Sequence, residues 1–298
     1  MEYNNLSSYL KRWYGGRVGK ICIDGGFTCP NRDGRCGHGG CVFCGERGAG
    51  EHIDPESSIS EQVRSHLSSA QKEGRYIAYF QNFTNTYAPV ETLRERYDAA
   101  LIDDRIVALA VGTRPDCIDE ENAALLSEYR EKLDVWVELG LQTASDRAAM
   151  AFNRGYPTSR LREAADILTR HGVPFVVHIM LGLPKTNPDD AYRTVELINS
   201  VGAFGVKIHS VYVMKGTALA EMYGRGEYTP LDFAEYVSLA ADCIARLRPD
   251  IIVHRITGDC PRGLLLAPAW SEDKNAVIAA IRDSLASRGL RQGSLYRE

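Results

Sequence analysis

Between residues 20 and 213, short β-rich runs alternate with amphipathic helical stretches, and that alternation restricts the fold of this 298-residue chain more than any other property. The β-rich runs fall at 20–24, 76–81, 106–111, 135–141, 174–181 and 206–213. Helical periodicity fills the intervals at 59–72, 90–100, 120–131, 159–171 and 189–201. Six strands separated by helices predict a parallel α/β barrel or sheet. A helix at 231–247, a strand at 251–256 and a helix at 273–287 then predict a small C-terminal extension, dividing the chain into 1–230 and 231–298.

Strand parity predicts where chemistry could sit. In the fourth run Val135, Val137, Leu139 and Leu141 suit the helix-facing side, so Glu138, Gly140 and Gln142 point inward. By the same rule Ala108, Ala110, Gly112 and Arg114 line the interior from the third run, and Lys207 and His209 share one face of the sixth. Small and polar residues predict a roomy, polar lumen, where a simple packed barrel would carry Val, Ile and Leu.

The long connection from Gly25 to about Pro55 holds four of the eight cysteines, Cys29, Cys36, Cys41 and Cys44, within sixteen residues. The start of the chain has no apolar signal segment, and the hydrophobic stretch around 173–183 is too short to span a bilayer. A cytoplasmic, reducing location is therefore expected, with no membrane partner, and the cysteines read as a metal or iron–sulfur site rather than disulfides. A structural zinc site, as in a non-enzymatic interaction module, would use all four thiolates. A catalytic cluster could use three and leave one iron open. The polar lumen favours the second. Cys22, Cys117 and Cys243 read as small buried residues, whereas Cys260, between Asp259 and Pro261, has a site thiol as its alternative.

The ordered segments KICIDGGFTCPNRDG, GGCVFC, AYFQNFTNTYAPVE, GTRPDC, VELGLQTASD, FNRGY, HIMLGLPKT, KIHSVYVMKGT and HRITGDCPRGLLLAPAW resemble the YtqA/YhcC group of radical S-adenosylmethionine (radical SAM) enzymes. The resemblance implies a partial (β/α)6 TIM-like barrel with a small C-terminal extension, related to the elongator catalytic subunit. It implies a [4Fe-4S] cluster held by Cys29, Cys41 and Cys44, with Cys36 as a nearby free thiol, and S-adenosyl-L-methionine as the second cofactor. An electron donor such as flavodoxin or ferredoxin follows as a partner.

Cofactor contacts carry over by segment to Gln81, Asn82 and Thr84 after the second strand, and to Gln142, Arg154 and His178. Gly112 stands where several relatives carry Glu. Each contact also has a structural reading: Gln142 closing a turn, Arg154 capping a helix, His178 satisfied in the core. Lys207 and His209 are the interior catalytic candidates, and Lys207, His209, Lys215, Arg255 and Arg262 are candidates for holding an anionic substrate group. Within the group the resemblance implies conversion of a carboxymethylaminomethyl wobble uridine of tRNA to aminomethyl, the base stacking on Tyr79, Phe83 or Tyr87. A small metabolite or peptide is the alternative substrate. The net charge of -4 supplies no global attraction to RNA, so tRNA, through its anticodon arm, is expected to meet a local patch drawn from Lys11, Arg12, Arg17, Lys20, Arg32, Arg35 and Arg47. The segment carrying Lys11, Arg12 and Arg17 is expected to help hold that arm.

Overall fold

The computed structural model describes every residue except 1, 49, 51, 52, 54, 55, 70–73, 262 and 298. Its strands are β1 (Val18–Ile23), β2 (Arg75–Phe80), β3 (Ile106–Thr113), β4 (Asp134–Gln142), β5 (Phe175–Leu181), β6 (Gly205–Ser210), β7 (Val213–Met214), β8 (Ile252–Arg255) and β9 (Leu265–Ala267). Strands β1 to β6 and then β8 form one parallel sheet in that order, curled into a half-barrel, and β7 pairs antiparallel with β9. The parallel pairing follows from the helical crossovers, which bury the outer face of the sheet. Val135, Val137, Leu139 and Leu141 lie in that outer core, together with Val206 and Ile208.

The helices start where local chemistry satisfies their first amide groups. Ser58, Asp119, Asn187 and Asp232 each accept from the third residue of the following helix, and the side chain at that position returns the bond. The helix expected at 59–72 runs over Ile59–Ser68, and positions 70–72 of that expectation lie outside the described residues.

Two expectations need correction. The run 206–213 is not one strand: the ladder with β5 ends at Ser210, and the chain turns so that Val213 and Met214 meet β9. The run 251–256 supplies β8, which joins the main sheet beside β6 through the pairs Gly205↔Ile252 and Lys207↔Arg255. A short apolar run carries no information about which sheet it enters, so its place beside β6 is not legible in the sequence.

A helix absent from the sequence reading, Leu6–Tyr14, closes the N-terminal mouth of the barrel. Asn5 caps it by accepting from the Ser8 amide. Leu10 is buried in one cluster with Ile77, Tyr79, Ala108, Trp136 and Val176. The Tyr14 hydroxyl bonds the Val107 carbonyl at 3.2 Å and also the Asp134 carboxylate, both at the beginnings of strands. The lower lumen is therefore filled rather than roomy. Its polar part lies higher.

Candidate active site at the carboxyl ends of the strands

The loop after β1 folds back on itself through its own backbone. Arg32 N bonds Cys29 O at 2.8 Å, Cys36 N bonds Pro30 O at 2.8 Å, Gly40 N bonds Asn31 O at 2.9 Å, and Cys44 N bonds Cys41 O at 2.9 Å. Buried Asn31 is the pin: its amide donates to the Asn153 carbonyl and lies 3.8 Å from Cys41 Sγ. A Cβ on Gly37 would stand 2.4 Å from Asn31 Oδ1, so the close turn requires glycine there.

Cys29, Cys41 and Cys44 line one cavity of about 170 Å³, with Gln81, Phe83, Thr84, Arg114, Gln142, Arg154, Tyr156 and His178 also in its wall. Cys36 is exposed and points instead to the Asp116 carboxylate, 4.0 Å away. Burial and then the neighbouring Cys44 push the Cys41 thiol up to about 12. A metal centre reverses that penalty by taking the thiolate. Arg114 grips Asp116 with Nε and Nη2, at 2.9 and 2.8 Å, which leaves Nη1 facing Cys29 Sγ at 3.8 Å.

The donor set fits the implied cofactors. Among the described residues no three Cys, His, Asp or Glu side chains come close enough to share one ion, whereas three thiols bordering a common cavity suit separate irons of a cluster. Thr84 Oγ1 is buried beside that cavity without a partner among the described residues, an acceptor and donor that a ligand can satisfy. Phe83 and Gln142, at φ 58° and 64°, hold left-handed backbone conformations uncommon outside glycine.

The remaining candidates divide. Gln81, Thr84, Gln142 and His178 reach the cavity, but Asn82 turns away and donates to Asp24 at 2.6 Å. Arg154 is buried with all its donors used: Nε on Tyr156 O, Nη1 on Leu141 O and Thr143 O, and Nη2 on Asp146 and Thr158. It braces the cavity wall. A Cβ on Gly112 would lie 3.0 Å from Phe80 O, so any side chain there requires that backbone to give by a few tenths of an ångström.

In the cavity wall, Lys207 and His178 converge on Glu138. His178 Nε2 lies 2.9 Å from Glu138 Oε2, the Lys207 ammonium bonds the same oxygen, and Trp136 Nε1 donates to Oε1 at 3.2 Å. Burial opposes ionisation of Glu138, yet Lys207 and His178 hold it well below the usual carboxylate range. Burial, then the Lys207 charge, draws His178 down to about 4, leaving it neutral. His209 is also held well below its ordinary value, by burial and then by Arg255. Tyr79 is buried and its hydroxyl takes Lys207 at 3.2 Å, so its ring is not available to stack a base.

The basic residues separate to opposite ends of the barrel. Lys11, Arg12 and Arg17 are exposed on and after the helix that closes the N-terminal mouth, far from the cysteines, which corrects the expected patch. Arg32 and Arg35 instead lie within the cysteine loop, where Arg32 donates to the Gly45 and Glu46 carbonyls, and their guanidinium groups stand 5.2 Å from the Phe83 ring and 5.3 Å from the Tyr87 ring. Lys215 is exposed and donates to Gly263 O at 3.0 Å, and Arg262 lies outside the described residues. Cys243 is buried, while Cys22, Cys117 and Cys260 are half-buried. The reading of the sequence missed Asn31 and Tyr156, although both sit inside the motifs CPN and NRGY. Tyr156 lies between Arg114 and Arg154, at 4.7 and 4.6 Å from its ring centroid.

Residues 33–198 match the radical SAM superfamily and residues 203–287 match the radical SAM C-terminal domain. The chain is 39% identical to YtqA of Bacillus subtilis (strain 168) over 99% of its own length and 93% of that protein. It is 34% identical to YhcC of Escherichia coli (strain K12), over 99% and 96%. A tRNA uridine(34) acetyltransferase of Dehalococcoides mccartyi (strain CBDB1) is 27% identical over 62% of this chain and 39% of that one. Among solved structures, Elp3 of Methanocaldococcus infernus superposes with a TM-score of 0.69 at 18% identity, covering 92% of this chain and 64% of that one. SuiB of Streptococcus suis bound to S-adenosylmethionine superposes with a TM-score of 0.54 at 14% identity, covering 85% and 53%. The chain thus spans less than two thirds of both solved chains, and these two likenesses concern the fold.

Proposed function

Because the chain belongs to the radical SAM superfamily, we propose that it cleaves S-adenosylmethionine reductively and uses the outcome to convert a carboxymethylaminomethyl wobble uridine of tRNA to aminomethyl. When bound, a four-iron cluster with S-adenosylmethionine supplies a 5′-deoxyadenosyl radical able to take hydrogen from an unactivated carbon. Cys29, Cys41 and Cys44 are the residues that would hold the cluster. Arg114 and Asn31 aim N–H groups at the sulfurs of Cys29 and Cys41, which favours the charged thiolates. Gln81, Thr84, Gln142 and His178 would meet the second cofactor. Arg154 acts as a positioning residue, holding the carbonyls of Leu141 and Thr143 around Gln142. Lys207 and His209 would face the substrate from below, with Lys207 fixed by Glu138.

The observation that carries the reading is the convergence of three thiols, and not the fourth, on one cavity beside the unpartnered Thr84 hydroxyl. Arg32 with Phe83 and Arg35 with Tyr87 support an RNA substrate, since paired cations and rings suit an unstacked base and its phosphates. The relative named for tRNA uridine(34) supports it from sequence. A reductant of the flavodoxin or ferredoxin kind would deliver the electron. The test is anaerobic reconstitution followed by iron and sulfide analysis, assay of 5′-deoxyadenosine, and nucleoside analysis of tRNA treated with the reduced enzyme. Four irons, cofactor cleavage and a loss of the carboxymethylaminomethyl nucleoside are expected. An unchanged nucleoside alongside turnover of another substrate refutes the tRNA assignment.

A further inference from the structure

Lys207 is committed to Glu138, which leaves two neighbouring cations to be explained. Lys20, from β1, places Nζ 4.5 Å from the centroid of the Tyr79 ring, whose other approach is taken by Lys207 Nζ at 4.4 Å. Arg255, from β8, stands in register with Lys207. The charges of Lys20 and Arg255 both act on Lys207, and that of Arg255 acts on His178 and His209. Lys20 and Arg255 have no carboxylate at ion-pair distance among the described residues, and of the three cations only Lys207 stands at that distance from Glu138, although the charge of Lys20 also acts on it. Buried Lys207, half-buried Lys20 and solvent-facing Arg255 thus meet one carboxylate. The half-buried ammonium of Lys20 is only partly solvated, and an incoming anion offsets its charge.

The placement also gives the anion a route. Strands β1 and β8 are the two edges of the sheet, and the N-terminal segment lies along both, with the Asn4 carbonyl accepting from Val253 N at 2.7 Å, so Lys20 and Arg255 stand on the two strands that flank that segment. Arg255 is exposed and Lys20 half-buried, so the pair leads from solvent inward. Beyond them His209 Nε2 is buried with no hydrogen-bond partner among the described residues.

We propose that Lys20 and Arg255 bind a carboxylate carried by the substrate, with His209 Nε2 as a third contact. This rests on the preceding reading only for the identity of the substrate. A carboxylate suits the pair because its two coplanar oxygens match a guanidinium edge and still accept from an ammonium group.

The experiment measures acetylation of Lys20 by peptide mass spectrometry in the anaerobic, cluster-loaded enzyme with S-adenosylmethionine, using exposed Lys11 as internal control. N-methylglycine should slow Lys20 acetylation about threefold or more and leave Lys11 unaffected. N-methylaminoethanol, which keeps the amine and lacks the carboxylate, should give no protection. Arg255→Ala should abolish the protection while unfolding at the wild-type temperature, since Arg255 is a surface side chain. Absent protection in the wild type, equal protection by the amino alcohol, or full protection in Arg255→Ala overturns the proposal. Protection by inorganic phosphate in place of N-methylglycine also overturns it, assigning the cations to a phosphate. Protection that persists while the wobble nucleoside goes unconverted defeats the tRNA reading alone.

Discussion

Glu138 on β4 and Lys207 on β6 are joined across the intervening strand β5, which adds His178 to the same carboxylate oxygen. The three strands are thereby cross-tied inside the barrel as well as along their ladders. Removing one partner leaves a buried charge unmatched. Glu138→Gln and Lys207→Met are each expected to cost about 3–5 kcal/mol in denaturant unfolding. The double variant should lose less than the two losses added together, and strict additivity would show that the pair is not coupled.

Cys29→Ala, Cys41→Ala and Cys44→Ala should each prevent assembly of a stable cluster, read as iron content and visible absorbance after reconstitution. Cys36→Ala should retain both, since that thiol points outward toward Asp116. Loss of the cluster in a folded Cys36→Ala protein would contradict the three-thiol assignment.

His254 packs its ring edge-on to Trp136 and Phe204, at 6.0 and 5.9 Å, and neither ring nitrogen has a partner among the described residues. Burial draws it down to about 3. An unfolded histidine protonates near 6.5, so between about 6.5 and 3 the unfolded chain binds the extra proton and stability falls as the pH is lowered. His254→Phe should keep the ring packing and flatten the acid limb of a plot of unfolding free energy against pH. An unchanged limb would place the acid sensitivity elsewhere.

Arg32→Ala and Arg35→Ala should weaken tRNA binding and lower the salt slope by roughly 1 per phosphate contact removed. Replacing Lys11, Arg12 and Arg17 should leave binding unchanged, because they lie at the closed end of the barrel. Titrations at several salt concentrations separate the two sets. Equal losses from both would require RNA to wrap the whole molecule.

Strand parity was the strongest guide to the interior. Alternation alone turned Glu138, Gly140 and Gln142 inward and Val137 and Leu139 outward, as the structure has them, because a residue's face is fixed by counting along one strand. Partnership was not legible in the same way. That Lys207 meets Glu138 depends on the order of strands in the sheet, and that Arg154 spends every donor on the backbone depends on how the segment after β4 returns. Nor did the polar helix Leu6–Tyr14 announce that Leu10 and Tyr14 would close a barrel whose strands lie far along the chain.

That closure has a consequence for the order of assembly. Leu10 needs Ile77, Trp136 and Val176 in place before it has anywhere to go, so the helix synthesised before every strand is seated only after β2, β4 and β5 have come together. Its docking is expected to be a late step in folding. Its amide hydrogens should exchange through local undocking, at a lower free energy than those of the central strands, giving the molecule one detachable element on an otherwise cooperative sheet.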